Sequence, residues 1–259
     1  LRQLKEKSYD IIFHLAAYNH VGDSFLHVNE SLMSNTIATA NLFEFAPDYK
    51  TFVYTATSEV YGLQNNVPFN EEFMPFPISP YAIGKYGGEL YARMKRHQTD
   101  KDIVCIRPFN TFGPYQSDRA IIPEIIIKCL RGLPIETTEG KQTREFNYID
   151  NIVDGFIKIS EASPSPKEPI NIGMNKEIAI KDLVKKIHSI SNSKSELKIG
   201  SLSNRETEIW RMCADNKRAN DILGWMPKIS FEDGLQRTIE WFKRYLDIYY
   251  NTSSELNCL

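Results

Sequence analysis

Apolar residues gather along this chain in short runs, separated by stretches of helical length. Residues 10–16 (DIIFHLA), 51–55 (TFVYT) and 102–108 (DIVCIRP) are runs long enough for a buried strand and too short for a helix. Between them, residues 28–45 have helical length and stop before Pro47. A second helix is expected from Ser79-Pro80, with serine as N-cap and proline at the first helical position, to about His97. Apolar strands alternating with helices predict βαβ units and a parallel sheet covered on both faces, a doubly wound α/β domain.

After Gly113-Pro114 the texture changes. A helix over residues 121–131 is stopped by Gly132 and Pro134, and residues 143–149 (TREFNYI) alternate like one strand. A helix capped by Asp150 should follow, then an exposed Pro/Ser-rich stretch over 162–169, a short strand over 169–173, and helices over 180–190 and 231–246. The expected organisation is one domain over residues 1–113 and a smaller mixed α/β domain over 114–250, some of whose segments return to the first. A frayed tail over 251–259 completes it.

A formal net charge of −2 argues against nucleic acid and membrane surfaces as partners. No apolar run approaches the ~20 residues of a membrane span. Cys105, Cys129, Cys213 and Cys258 are scattered without C-x-x-C spacing, so buried free thiols are expected rather than disulfides, and no metal site is indicated. A reducing, cytoplasmic setting fits that usage.

The chemistry gathers in two places. The strand 51–55 ends in TATSEVYG (residues 55–62), where Thr55, Thr57, Ser58 and Glu59 stand in place of a plain Gly/Asn turn. Tyr81 and Lys85, four apart at the start of a helix, share one face. A tyrosine becomes a base near neutral pH only where positive charge favours its phenolate, and Lys85 is placed to supply it. The carboxyl edge of such a sheet, where ligands bind in open α/β folds, would bring the two groups face to face.

These strings resemble the extended short-chain dehydrogenases/reductases, specifically the nucleotide-sugar epimerases and dehydratases. The matching segments are DIIFHLAA, HVGDSF, TSEVYG, SPYAIGK, RPFNTFGP, IIPEII, GKQTREFNYIDNIVDGF and LGWMPKISFEDGL, in the family's order and over nearly the whole chain. The resemblance implies a Rossmann-type domain with NAD as cofactor, NADP being the alternative, a nucleotide-diphosphate sugar as substrate, and a homodimer paired through the helix of residues 28–45 and the Tyr81–Lys85 helix. The family's G-x-x-G-x-x-G turn occurs nowhere in these residues, so the resemblance also implies that a segment carrying the first strands precedes Leu1.

By the same resemblance, Thr57, Ser58, Glu59, Tyr81 and Lys85 are catalytic. Leu15, Ala16, Ala17, Thr55 and Pro108 lie along the dinucleotide together with Tyr81 and Lys85, and Asn110, Arg144 and Arg205 hold the sugar nucleotide. Glu59 is the discriminating residue. Simple 4-epimerases carry a small residue there, whereas hexose 4,6-dehydratases need a carboxylate to remove the C5 proton once C4 is a ketone. Ser58 departs from the Asp that many dTDP-glucose-type dehydratases have between the Thr and the Glu, and matches the Thr-Ser-Glu of the GDP-mannose type. The expectation is therefore an NDP-hexose 4,6-dehydratase, a hydro-lyase. An NDP-sugar 4-epimerase, a UDP-glucuronate decarboxylase (which shares TSEVYG) and a non-catalytic sugar-nucleotide-binding relative stand as the alternatives.

Overall fold

The structure is a computed structural model that describes residues 7–64, 66–204 and 208–248. Strand β1 (Ser8–His14) leads through α1 (Val21–Ser24) into one continuous helical run. That run consists of α2 (Val28–Leu32), a π-helical turn (Met33–Ile37) and α3 (Ala38–Phe45). Strand β2 (Asp48–Thr55), a 3₁₀ turn (Ser58–Tyr61), α4 (Pro80–Gln98) and β3 (Asp102–Pro108) follow. Then come β4 (Thr111–Phe112), α5 (Ile121–Arg131), β5 (Ile135–Thr137), β6 (Thr143–Glu145), β7 (Asn147–Tyr148) and α6 (Ile149–Glu161). The described chain closes with β8 (Ile170–Ile172), β9 (Glu177–Ala179), α7 (Ile180–Ile190), β10 (Leu197–Ile199), α8 (Lys217–Leu223) and α9 (Phe231–Tyr245).

These elements form two compact units. The first takes residues up to Phe109, Ile152–Asn175 and Met212–Met226; the second takes Asn110–Asn151, Lys176–Arg211 and the chain from Pro227 on.

The first unit is built on a parallel sheet in the order β1-β2-β3-β8. Its central strands are apolar on both faces because both faces are covered. On one, Phe52, Tyr54, Ile103 and Cys105 pack against Phe43 of α3 and Ala92 of α4. On the other, Val53, Val104, Ile106, Ile170 and Ile172 meet Ile152 and Ile159 of α6 and Trp225 beyond α8. This is the expected doubly wound α/β architecture. The helix starting at Pro80 is capped as expected, the Ser79 hydroxyl accepting from the Ala82 amide at 3.1 Å.

The second unit holds three two-stranded sheets, β5 with β10, β4 with β7 and β6 with β9. The amphipathic helices α5, α7 and α9 bury Ile126, Leu183, Ile187, Leu235 and Ile239. Two local expectations need correction here. The alternating segment 143–149 is two strands rather than one, because β6 pairs with β9 and β7 with β4. Asp150 lies inside the first turn of α6 rather than capping it; a carboxylate there still complements the helix dipole. Cys105, Cys129 and Cys213 are buried free thiols; Cys258 lies outside the described residues.

Candidate active site

Because β1, β2 and β3 run parallel, their carboxyl ends share one edge of the sheet. Leu15, Ala16 and Ala17 follow β1, Thr55 ends β2 and Pro108 ends β3, so sequence positions far apart arrive at one place. Leu15 and Ala16 are exposed there. The Thr55 hydroxyl is buried without a hydrogen-bond partner, a loose end of the kind that a ligand satisfies. The loop after β1 is clamped by Asn35 of the π turn. Its side chain accepts from the Tyr18 amide at 2.9 Å and donates to the Tyr18 carbonyl at 3.0 Å. Sequence reasoning missed Asn35; a polar, turn-favouring residue in mid-helix was the available signal.

The TATSEVYG motif bends sharply off the end of β2. The Ala56 amide still donates to Ile106 at 2.8 Å, and Thr57 then caps the 3₁₀ turn, its hydroxyl accepting from the Glu59 amide at 3.2 Å. Gly62 closes the turn at φ +56°, where a Cβ would lie 1.7 Å from the Phe76 carbonyl oxygen, so only glycine fits. Ser58 is buried, and its hydroxyl donates to Met212 Sδ at 3.4 Å.

The expected meeting of motif and helix takes place. The Thr57 hydroxyl and the Glu59 charge both act on the Tyr81 phenol, the first favouring its phenolate and the second opposing it. The sign of the effect on Tyr81 is not the expected one. Burial, reinforced by Glu59, pushes the phenol up to about 12, outweighing the pull of the Thr57 hydroxyl. Lys85 is 2% exposed, and desolvation draws its ammonium down to about 8. His14 is a packed histidine, its ring bonded to the Thr39 hydroxyl at 2.9 Å.

Beneath these groups runs a buried polar chain. Arg107 of β3 donates to both carboxylate oxygens of Glu89 on α4, at 2.9 and 2.5 Å, and to the Tyr61 hydroxyl at 2.9 Å. Tyr61 in turn donates to the Asn171 side chain at 2.7 Å. The network joins α4, the 3₁₀ turn and two strands, so Tyr81 and Glu59 hang from one framework.

The second unit carries a separate cavity of about 380 Å³ lined by Asn110, Gln142, Arg144, Phe146 and Glu208, among others. Arg144 donates to the Glu208 carboxylate at 2.9 Å and to the Thr143 carbonyl at 2.9 Å. Gln142 presents a buried side-chain oxygen with no partner. Glu208 and Gln142 are further polar residues of this cavity that sequence reasoning passed over; their nearness to Arg144 is tertiary. Arg205 lies outside the described residues.

A parallel α/β unit with Thr57, Tyr81, Lys85 and a carboxylate at its carboxyl edge defines a short-chain dehydrogenase/reductase architecture. The family model described as GDP-mannose 4,6 dehydratase matches residues 1–238. The human dTDP-D-glucose 4,6-dehydratase is 30% identical over 95% of this chain and 72% of its own length. The UDP-glucuronate 4-epimerase of Thermodesulfobacterium geofontis is 32% identical over 93% of this chain and 75% of its own. Among solved structures, the UDP-glucuronic acid 4-epimerase of Bacillus cereus, in complex with UDP-glucuronic acid and NAD, superposes with a TM-score of 0.86. It is 27% identical, over 94% of this chain and 77% of that one. The chain belongs to the extended short-chain dehydrogenase/reductase family of NAD-dependent nucleotide-sugar epimerases and dehydratases.

Proposed function

We propose that this protein is an NAD-dependent NDP-hexose 4,6-dehydratase. The observation that carries the reading is the Glu59 carboxylate, on the turn that Thr57 caps, standing near enough to the Tyr81 phenol for its charge to act there. Oxidation and re-reduction at C4, all that an epimerase performs, would leave that carboxylate without a task.

The residues present fit the nicotinamide end of a dinucleotide. The unpartnered Thr55 hydroxyl, the small Ala16 and Ala17, and Pro108 at the neighbouring strand end would line it, with Lys85 on its ribose. When bound, NAD supplies reversible hydride acceptance. Thr57 orients the C4 hydroxyl of the sugar, and Tyr81 takes its proton as that carbon is oxidised. With C4 a ketone, the C5 proton is acidic; Glu59 removes it and passes it to the C6 hydroxyl, which leaves as water. Glu59, reprotonated from solvent, then protonates C5 as C6 is reduced, and Tyr81 releases to solvent the proton it took from O4, so the sugar ends as a 4-keto-6-deoxy hexose with no net redox change. Ser58, bonded to Met212, supports the turn that carries Glu59. In the second unit, Asn110 and Arg144 bind the sugar nucleotide, Arg144 through phosphate oxygens that suit its planar donors.

The second reading is a 4-epimerase, favoured by relatives such as the one from Thermodesulfobacterium geofontis. Incubating the natural full-length polypeptide with NAD and GDP-, dTDP-, UDP- and CDP-linked hexoses, and weighing the products, separates the two. Loss of one water supports the dehydratase. An unchanged mass with inverted C4 overturns it in favour of the epimerase.

A further inference from the structure

Lys85 is buried, yet among the described residues it has no ion pair. What faces its ammonium is an aromatic ring: Nζ lies 4.9 Å from the centroid of Tyr54. The same tyrosine donates its hydroxyl to the Lys85 carbonyl oxygen at 2.8 Å, so one side chain holds both ends of the lysine. Tyr54 is fully buried near the end of β2, one residue before Thr55. Gly88, on the next turn of α4, leaves it room; a Cβ there would lie 2.3 Å from the Tyr54 hydroxyl oxygen.

The other titratable neighbours come from four directions. From β1, the His14 ring lies 5.7 Å from that of Tyr54, and burial with the Lys85 charge draws it down to about 4, so it adds no positive charge. From α4 itself come Tyr81 one turn before and Glu89 one turn after, the latter already paired with Arg107 of β3. From β3 comes Cys105, whose thiol burial pushes up and keeps neutral. From the 3₁₀ turn comes Glu59, which acts on Tyr81.

We propose that Tyr54 is a positioning residue of the site, its ring and hydroxyl fixing the Lys85 ammonium at the sheet edge and keeping it charged. The proposal rests on the reading of Lys85 as the partner of Tyr81. The physical advantage is specific. A carboxylate beside Lys85 would hold the cation more tightly but cancel its field at Tyr81. A ring face stabilises the cation through its quadrupole and adds no net charge. Burial draws the Lys85 ammonium down toward neutral pH, and the ring face works against that shift.

The test compares Tyr54→Phe, which keeps the face and loses the hydroxyl, with 3,4,5-trifluorophenylalanine at position 54, which keeps the shape and drains the face. Tyr54→Leu removes both. Lysine NMR with ¹⁵N at Nζ, assigned through Lys85→Met, follows the Lys85 titration independently of turnover. The Phe variant should titrate Lys85 near its wild-type value. The trifluorinated ring should lower the titration by about half a unit to one and a half units, with the alkaline limb of kcat/KM moving as far and KM unchanged. Should the trifluorinated and Phe variants titrate alike, the Tyr54 proposal is overturned. A shifted titration in a protein inert toward every nucleotide sugar would sustain the Tyr54–Lys85 coupling and overturn the functional reading instead.

Discussion

A lysine at 2% exposure costs folding free energy wherever it must carry its proton. The ordinary value for Lys85 is 10.5 and burial draws it to about 8, so between those two pH values the unfolded chain binds a proton that the folded one lacks. Stability from this group therefore rises with pH across that window, and the full cost, about 3 kcal/mol, is present at pH 8 and below. Lys85→Met should abolish turnover while raising stability at pH 7, with the gain shrinking toward pH 10; urea melts at the two pH values read it. A variant destabilised equally at both would contradict the burial account. Tyr81 and Lys85 were legible in the sequence because helical spacing alone puts them on one face. The raised phenol of Tyr81 was not legible, since burial and the nearby Glu59 come from packing between elements. Tyr54 was hidden for the same reason: within TFVYT it is one more apolar strand position.

At the scale of elements, α4 is the part that must not shift, because it carries both Tyr81 and Lys85. Its tie to β3 is the Arg107–Glu89 pair, with Arg107 2% exposed and Glu89 0%. Removing one partner of such a pair leaves a buried charge unpaired. Arg107→Met should therefore cost about 3–5 kcal/mol, whereas Arg107→Met with Glu89→Leu should recover much of the loss. Thermal or urea unfolding of the two variants decides this, and a double variant no better than the single one would contradict the pairing argument. Activity of the double variant should stay low, since the Tyr61 contact that orients the 3₁₀ turn is lost in both. The sequence made α4 and the strands of the first unit plain, because capping and apolar runs are local signals. It misread residues 143–149 as one strand because alternation continues across Phe146, while the pairing partners change from β9 to β4. The π turn at Met33–Ile37 had no sequence signal beyond Asn35, whose side chain reaches the loop after β1 rather than its own helix.

For the molecule as a whole, the first unit leaves an apolar surface that a homodimer would cover. Ile83, Leu90 and Met94 lie along one stripe of α4, each exposed, and Met33 and Ile37 lie on the helical run packed beside it. Exposed rows on adjacent helices suit a two-fold helical interface. Light scattering of the natural full-length polypeptide should give a dimer, and Leu90→Arg should shift it to monomer with secondary structure retained. A wild-type monomer would count against the interface. Among the described residues no helix is long and apolar enough to cross a membrane.

The central claim is that Glu59 removes a proton from C5, which inversion at C4 alone does not require. It is tested most directly by running the reaction in D₂O on the nucleotide hexose that turns over, and locating deuterium in the product by NMR. The account predicts a 4-keto-6-deoxy product carrying one solvent deuterium at C5, and no such product from Glu59→Gln. A product epimerised at C4 with no solvent deuterium on carbon, formed equally well by Glu59→Gln, would contradict it.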